Sequence, residues 1–170
     1  MALLEFKEKI HTDCSRLSYL ILDVKGIKLD APKADSLKNV LNCSAFSSCD
    51  YLRKKNNTLY FIELSDLKYE ISNYENSGLD KRAAIKKSKV GIRQKLSDSI
   101  HIYIEMIKKF NIDSSKIKYK KVLLAICQSS QADVIALSVL ANNLEQHYKP
   151  TLYTSIKIIP YTELENIFKR

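Results

Sequence analysis

Two spacings of apolar residues alternate along this chain. Residues 2–12 (Ala2-Leu3-Leu4-Glu5-Phe6-Lys7-Glu8-Lys9-Ile10 and on) mix acids among apolar positions and predict an amphipathic helix. Residues 16–24 fit either a continuation of that helix or a strand. Gly26 and Asp30-Ala31-Pro32 punctuate the chain, and residues 37–44 read as a strand entering a hairpin. The hairpin itself, Cys49 to Ser65, is the clearest local signal. Its turn, Lys54-Lys55-Asn56-Asn57, is polar and carries residues that tolerate left-handed backbone angles. Its second strand, Thr58-Leu59-Tyr60-Phe61-Ile62, is rich in aromatic and branched residues.

Beyond the hairpin the pattern is lost from Tyr69 to Leu79, which reads as an ordered loop or a flap. A helix follows over Lys89 to Phe110, with Ile92, Leu96, Ile100, Tyr103, Ile104 and Ile107 at helical spacing. Asn111 and Asp113 end it. Lys121 to Cys127 is a continuous apolar run, expected to be a central strand parallel to a neighbour. Ala132 to Tyr148 reads as a helix, Ser155 to Ile159 as a strand, and Thr162 to Phe168 as a closing helix capped by Thr162. A hairpin, a helical crossover and a buried strand argue for a single α/β domain, 1–170. Its expected architecture is a mixed central sheet flanked by helices on both faces.

Charge adds a partner to this picture. Lys and Arg number 28 against 19 Asp and Glu, a net charge of +9, which favours an anionic partner, nucleic acid first. The excess concentrates in Lys81, Arg82, Lys86, Lys87, Lys89 and Arg93, a candidate phosphate-contacting patch. A solvated helix face is the plainer reading of the same run. No apolar run approaches the roughly 20 residues of a membrane span, and the start lacks a secretory core, so the expected compartment is the cytoplasm. The four cysteines are scattered and read as small buried residues; Cys43 and Cys49 would meet only if their segments pair. The three histidines do not cluster with them, which argues against zinc. Neither a glycine-rich phosphate loop nor a nucleophile elbow is present. Ser129-Ser130-Gln131-Ala132-Asp133 reads as a polar loop and cap, or as a ligand site at the end of a central strand.

The candidate chemistry sits on the hairpin. Asp50 begins its first strand and Glu63 lies near the end of its second. A carboxylate at the end of so apolar a strand is costly unless its charge is used. Two of them, folded together, can hold a divalent metal ion. Each alone also has a structural reading: Asp50 as a turn or strand-end acceptor of backbone hydrogen bonds, Glu63 as a partly exposed strand-end acid paired with a lysine.

The order of elements, with Cys49-Asp50-Tyr51, then Tyr60-Phe61-Ile62-Glu63-Leu64-Ser65, then the helix and the strand from Val122 to Cys127, resembles the PD-(D/E)XK nuclease superfamily. The resemblance covers residues 37–128, and residues 1–10 loosely. It implies a restriction-endonuclease-like core and a magnesium- or manganese-dependent nuclease, a hydrolase acting on nucleic acid, DNA in the first instance. Asp50, Glu63 and the backbone carbonyl of Leu64 would be the metal ligands, with a glutamate of the first helix, Glu5 or Glu8, as a further one. Ser65 stands where the family has its lysine. Lys89, which the helical phase puts near the centre of the apolar stripe, or Lys68, if the strand ends early, would replace it; Lys95 falls to the flank. The alternative is a nuclease-like domain without catalysis, serving as a nucleic-acid-binding or protein-assembly subunit or a homo-oligomer.

Overall fold

A computed structural model describes residues 2–11, 21–31, 34–126, 131–148 and 152–169. Six strands form one sheet in sequential order: β1 (Lys7–His11), β2 (Ile21–Lys28), β3 (Tyr51–Lys55), β4 (Thr58–Ser65), β5 (Tyr119–Ile126) and β6 (Ser155–Pro160). The first three junctions are antiparallel and the last two parallel, so the sheet is mixed. Between them run α1 (Leu37–Val40), α2 (Leu67–Asn76), α3 (Lys81–Phe110) and α4 (Gln131–Tyr148), and α5 (Tyr161–Lys169) closes the chain.

Strand residues alternate between two cores, as a pleat requires. Leu52, Phe61, Val122, Leu124 and Ile156 face one side, where they join Leu96, Ile100 and Tyr103 of α3 and Leu140, Leu144 and Tyr148 of α4. Tyr51, Ile62, Leu123, Ala125 and Ile159 face the other, with Tyr161, Leu164 and Phe168 of α5. The fold is therefore α/β with helices on both faces, as the pattern of elements predicts.

Three expectations are overturned. Residues 3–6 are a 3-10 turn and residues 7–11 an edge strand, not one helix. Only Ile10 is buried in β1, so its few apolar positions carry no strand signal. Residues 37–44 begin as the helical turn α1, capped by Ser36 Oγ, with Leu37 and Leu41 buried four residues apart. Tyr69 to Leu79 is no flap: α2 starts on the Asp66 cap, whose side chain accepts from the Tyr69 N–H, and packs on α3. Its only buried residue is Leu67, and Lys87 of α3 covers the Tyr74 ring at 4.5 Å. The residue 16–24 ambiguity resolves to strand over 21–24; residues 12–20 lie outside those described.

The basic segment and the following helix are one element. α3 begins at the Asp80 cap, which accepts from the Ala83 N–H, and ends at Asn111 in the left-handed region, φ +48°. At a rise of 1.5 Å per residue it is about 45 Å long. Its buried residues include Ser88, Ser99, Ile102 and Met106 besides Ile92, Leu96, Ile100 and Tyr103, whereas Ile104 is exposed. The inward face is thus rotated away from the one centred on Lys89 and Arg93.

Two glycines test this packing with opposite signs. A Cβ on Gly26 would meet Tyr51 Cδ1 at 3.2 Å and the Leu52 carbonyl oxygen at 3.3 Å, whereas one on Gly91, inside α3, meets nothing within 4 Å. Urea unfolding is expected to show Gly26→Ala destabilised by about 1–3 kcal/mol and Gly91→Ala stabilised by about 0.5–1 kcal/mol.

Candidate functional site

The register of β3 against β4 determines where the two acids go. Tyr51 pairs with Ile62 and Leu52 with Phe61. One step further along the same ladder sets Asp50 opposite Glu63. Opposed residues share a face, so both carboxylates lie on the α3 side with Leu52 and Phe61. The Leu64 N–H donates to Asp50 Oδ2 at 2.7 Å, and the Asp50 carbonyl accepts from the Leu29 N–H at 2.8 Å. Continued one step past the Tyr51–Ile62 pair, the register puts Asp50 and Glu63 at a non-hydrogen-bonded position, where opposed Cα atoms are typically about 4.5 Å apart. In an extended strand a residue's N–H and C=O point the same way. The Leu64 carbonyl therefore also faces the side of Asp50.

A third group arrives from α3. Lys95 Nζ lies 2.5 Å from Glu63 Oε1. Glu63 is 5% exposed, and its second oxygen, Oε2, is buried with no hydrogen-bond partner among the described residues. Beside them, Lys28 is buried over the Tyr51 ring, 4.6 Å from its centroid. Asp30 is held by Lys38 at 2.6 Å.

Burial pushes Glu63 up to about 8, the negative charge of Asp50 adds to the shift, and the Lys95 ammonium opposes it. Burial also raises Asp50, against the Leu64 N–H and the charges of Lys95 and Lys28. Lys95 is itself raised: burial would lower it, but Glu63 and Asp50 outweigh that cost. In so poorly solvated a place the charges of Lys95 and Lys28 compensate the two carboxylates only in part, and an uncompensated negative field remains. A proton on Glu63 relieves it, and so would a cation.

The acids and carbonyl named from the sequence are thus brought together, whereas the expected lysines are not the ones that join them. Lys95 is the ammonium on Glu63. Lys89 lies six residues earlier, about 9 Å along the axis and about 120° around it, and Lys68 is exposed on α2. Lys95 was legible in principle. Ser88, Ile92, Ser99, Ile102 and Met106 are buried, and half-exposed Lys95 falls among them at the same four- and three-residue steps. Because two of the buried residues are serines, an apolar count misses the stripe.

The first-segment glutamates are elsewhere. Glu5 accepts from the Ala2 N–H. Glu8 accepts from the Tyr51 hydroxyl at 3.0 Å, on the opposite face of the sheet. Among the described residues no group of three or more His, Cys, Asp or Glu is arranged to hold a metal ion. Two carboxylates with a carbonyl still suit magnesium, which keeps several waters and takes one or two carboxylates. The orphaned Glu63 Oε2 is an acceptor in want of a partner, so the donors present fit such an ion.

Lys81, Arg82, Lys86 and Lys87 are exposed on the first turns of α3, and Lys89 and Arg93 are half-buried further in. The Arg93 Nε is buried with no partner among the described residues. Cys43 and Cys49 are free and buried; Cys14, Cys127, Ser129 and Ser130, with the side chains of Gln131, Ala132 and Asp133, lie outside those described. A cleft of about 220 Å³ lined by Leu3, Lys7, Lys25, Ile27, Leu52 and Lys54 opens further along β3, without Asp50 or Glu63 in its wall. No helix among the described residues is long and apolar enough to cross a membrane. Comparison with protein-family models, curated proteins and solved structures found no match.

The Glu63 shift fixes a pH dependence. The folded chain keeps this proton up to about pH 8, whereas an unperturbed glutamate releases it near 4.5. Between those values the folded state binds more protons, so this group's contribution to stability falls as pH rises. In urea unfolding from pH 5 to pH 8, Glu63→Gln is expected to gain on the wild type by a few kcal/mol, on the order of the shift itself. A constant difference across that range would mean that Glu63 titrates normally.

Proposed function

We propose that this chain is a metal-dependent nucleic-acid-processing protein of the restriction-endonuclease-like type, a phosphodiesterase in which the family's strand lysine has moved to α3. The observation that carries the reading is the meeting of Asp50, Glu63 and Lys95 on one face of the sheet. The sheet order supports it: an antiparallel meander ends in an acid-bearing strand, which a helical crossover joins to a parallel neighbour.

Asp50, Glu63 and the Leu64 carbonyl would hold magnesium or manganese. The ion would neutralise charge on the phosphate and lower the pKa of bound water. The chain's own part is to supply two carboxylates and one ammonium. Lys95 carries its proton at neutral pH and sits beside Glu63, where it can orient a water or stabilise the leaving oxygen. The Leu64 N–H keeps the Asp50 carboxylate turned inward. The exposed cations of α3 would hold phosphates of a strand of DNA lying along its first turns.

A second reading is favoured by the same 2.5 Å contact. Lys95 already pairs with Glu63, and a buried acid so paired can be a structural relic. The chain would then be a nuclease-like subunit that binds nucleic acid or assembles with protein without cutting.

Incubation with single- and double-stranded DNA and with RNA, in Mg²⁺ or Mn²⁺ and in EDTA, separates the two. Cleavage by the wild type is expected only with metal, and Asp50→Asn and Lys95→Met are expected to lose 10²-fold or more of it. No cleavage of any substrate, with no rise in melting temperature on adding Mn²⁺, would leave the subunit reading.

Binding is tested apart from cleavage. Replacing Lys81, Arg82, Lys86 and Lys87 by Gln is expected to weaken DNA binding and flatten its dependence on salt by about 0.7–0.9 in slope for each phosphate that is no longer neutralised. An unchanged slope would place the nucleic-acid interface elsewhere.

A further inference from the structure

One hydroxyl ties the two halves of the acid–lysine cluster together. Ser99 is fully buried on α3, one turn after Lys95. Its Oγ accepts the Cys49 N–H at 2.8 Å and donates to the Lys95 carbonyl at 2.7 Å. Cys49 is the residue before Asp50, so the chain of contacts runs from the helix turn that carries Lys95 to the backbone that carries Asp50. From there it continues through Asp50 Oδ2 to the Leu64 N–H, the residue after Glu63. The loop entering β3 has no ladder bond at Cys49; β3 starts at Tyr51. The Cys49 N–H is therefore fixed by the helix.

The helix side of the joint is pinned as well. Tyr153, buried, donates to the Leu96 carbonyl at 2.6 Å, and Tyr148 donates to the Arg93 carbonyl at 2.8 Å. Carbonyls 93, 95 and 96 thus each receive a side-chain hydroxyl within a single turn. The two tyrosine bonds come from outside α3 and tie that turn to α4 and to the segment before β6, which keeps Lys95 presented to Glu63. The Ser99 bond to carbonyl 95 lies within the helix. Ser88 is the contrast. It is buried on the same helix, but its hydroxyl has no partner among the described residues.

We infer that Ser99 is a positioning residue that sets the placement of Asp50 relative to the Lys95–Glu63 pair, and through it the affinity of the site for a divalent cation. The second half of the inference rests on the metal-dependent reading given above; the first half does not. Without the hydroxyl, the Cys49 N–H loses its acceptor, the entry to β3 is freed, and the Asp50 carboxylate no longer has one fixed distance to Glu63.

The test compares Ser99→Ala with Ser88→Ala, which removes the same atom from a site where it has no partner among the described residues. Amide hydrogen exchange by NMR reads the Leu64 N–H, whose acceptor is the Asp50 carboxylate, against Leu123 on β5 as a measure of global stability. In Ser99→Ala, protection at Cys49 and Leu64 is expected to fall at least tenfold more than at Leu123; in Ser88→Ala the three should move together. Calorimetric titration with Mn²⁺ is expected to give a dissociation constant at least tenfold weaker in Ser99→Ala and within twofold of wild type in Ser88→Ala. Should Ser99→Ala not fold, Ser99→Cys fills the space with a far weaker donor and acceptor and is read in the same way.

Equal loss of protection at Leu64 and Leu123 would show Ser99 to be merely part of the core and would overturn the inference. So would a wild type that binds Mn²⁺ and a Ser99→Ala that binds it equally well. A wild type that binds no Mn²⁺ overturns the metal-dependent reading instead, and Leu64 exchange then still decides the role of Ser99.

Discussion

The pairing of β3 with β4 is the constraint on which the candidate site depends. Side chains on a strand alternate faces, so a slip of one residue would turn Glu63 toward α5 and carry Ile62 into its place. The slip is opposed at both ends. At the turn, Lys55 pairs with Thr58 across Asn56 and Asn57, and Asn56 takes φ +53°, an angle that asparagine tolerates and most residues do not. At the other end, Asp50 is tied through its carbonyl to the Leu29 N–H, just past β2, and through its carboxylate to β4. The Asn57 carbonyl also accepts the N–H groups of Lys118 and Tyr119, so the turn that sets the hairpin also starts β5.

A charged cluster set into this framework is expensive, and the fold surrounds it with partial compensation. Glu63 lies on a strand with neighbours on both sides, under a helix. Desolvation alone would drive it neutral. Lys95 offsets part of that cost, and the Leu64 N–H and buried Lys28 do the same for Asp50. The balance is incomplete, because Asp30, paired with Lys38, adds a further negative field to both acids. Maximal stability would be reached more simply by apolar residues at these positions. That the chain instead retains an under-compensated pair near the exit of β4 is the physical ground for reading it as a site.

Legibility in the sequence follows how many sides of an element are buried. β4, β5 and the second half of α3 pack on a sheet or core, so composition and period both mark them. Edge strand β1 buries only Ile10, and α2 leans on another helix through few apolar residues; neither carries a period strong enough to read. Gly26 reads as punctuation in the sequence, yet it sits inside β2, where a side chain would press tightly on the Tyr51 ring and the Leu52 carbonyl. At the site, Asp50 and Glu63 could be found because a hairpin fixes their relation locally. Lys95 comes from an element distant in sequence. Its contact depends on the rotation of α3, which is set by serines and by tyrosine hydroxyls that no hydrophobic pattern records.

The serine at position 65 takes on a different meaning once Lys95 is placed. Ser65 shares the face of Glu63, two residues on, so a lysine there would project to the same side of the sheet. With Lys95 already 2.5 Å from Glu63, a second ammonium would bring two positive charges against two carboxylates. The two ammonium groups would repel each other at low dielectric. A short side chain at 65 is therefore compatible with the ammonium that α3 brings to Glu63.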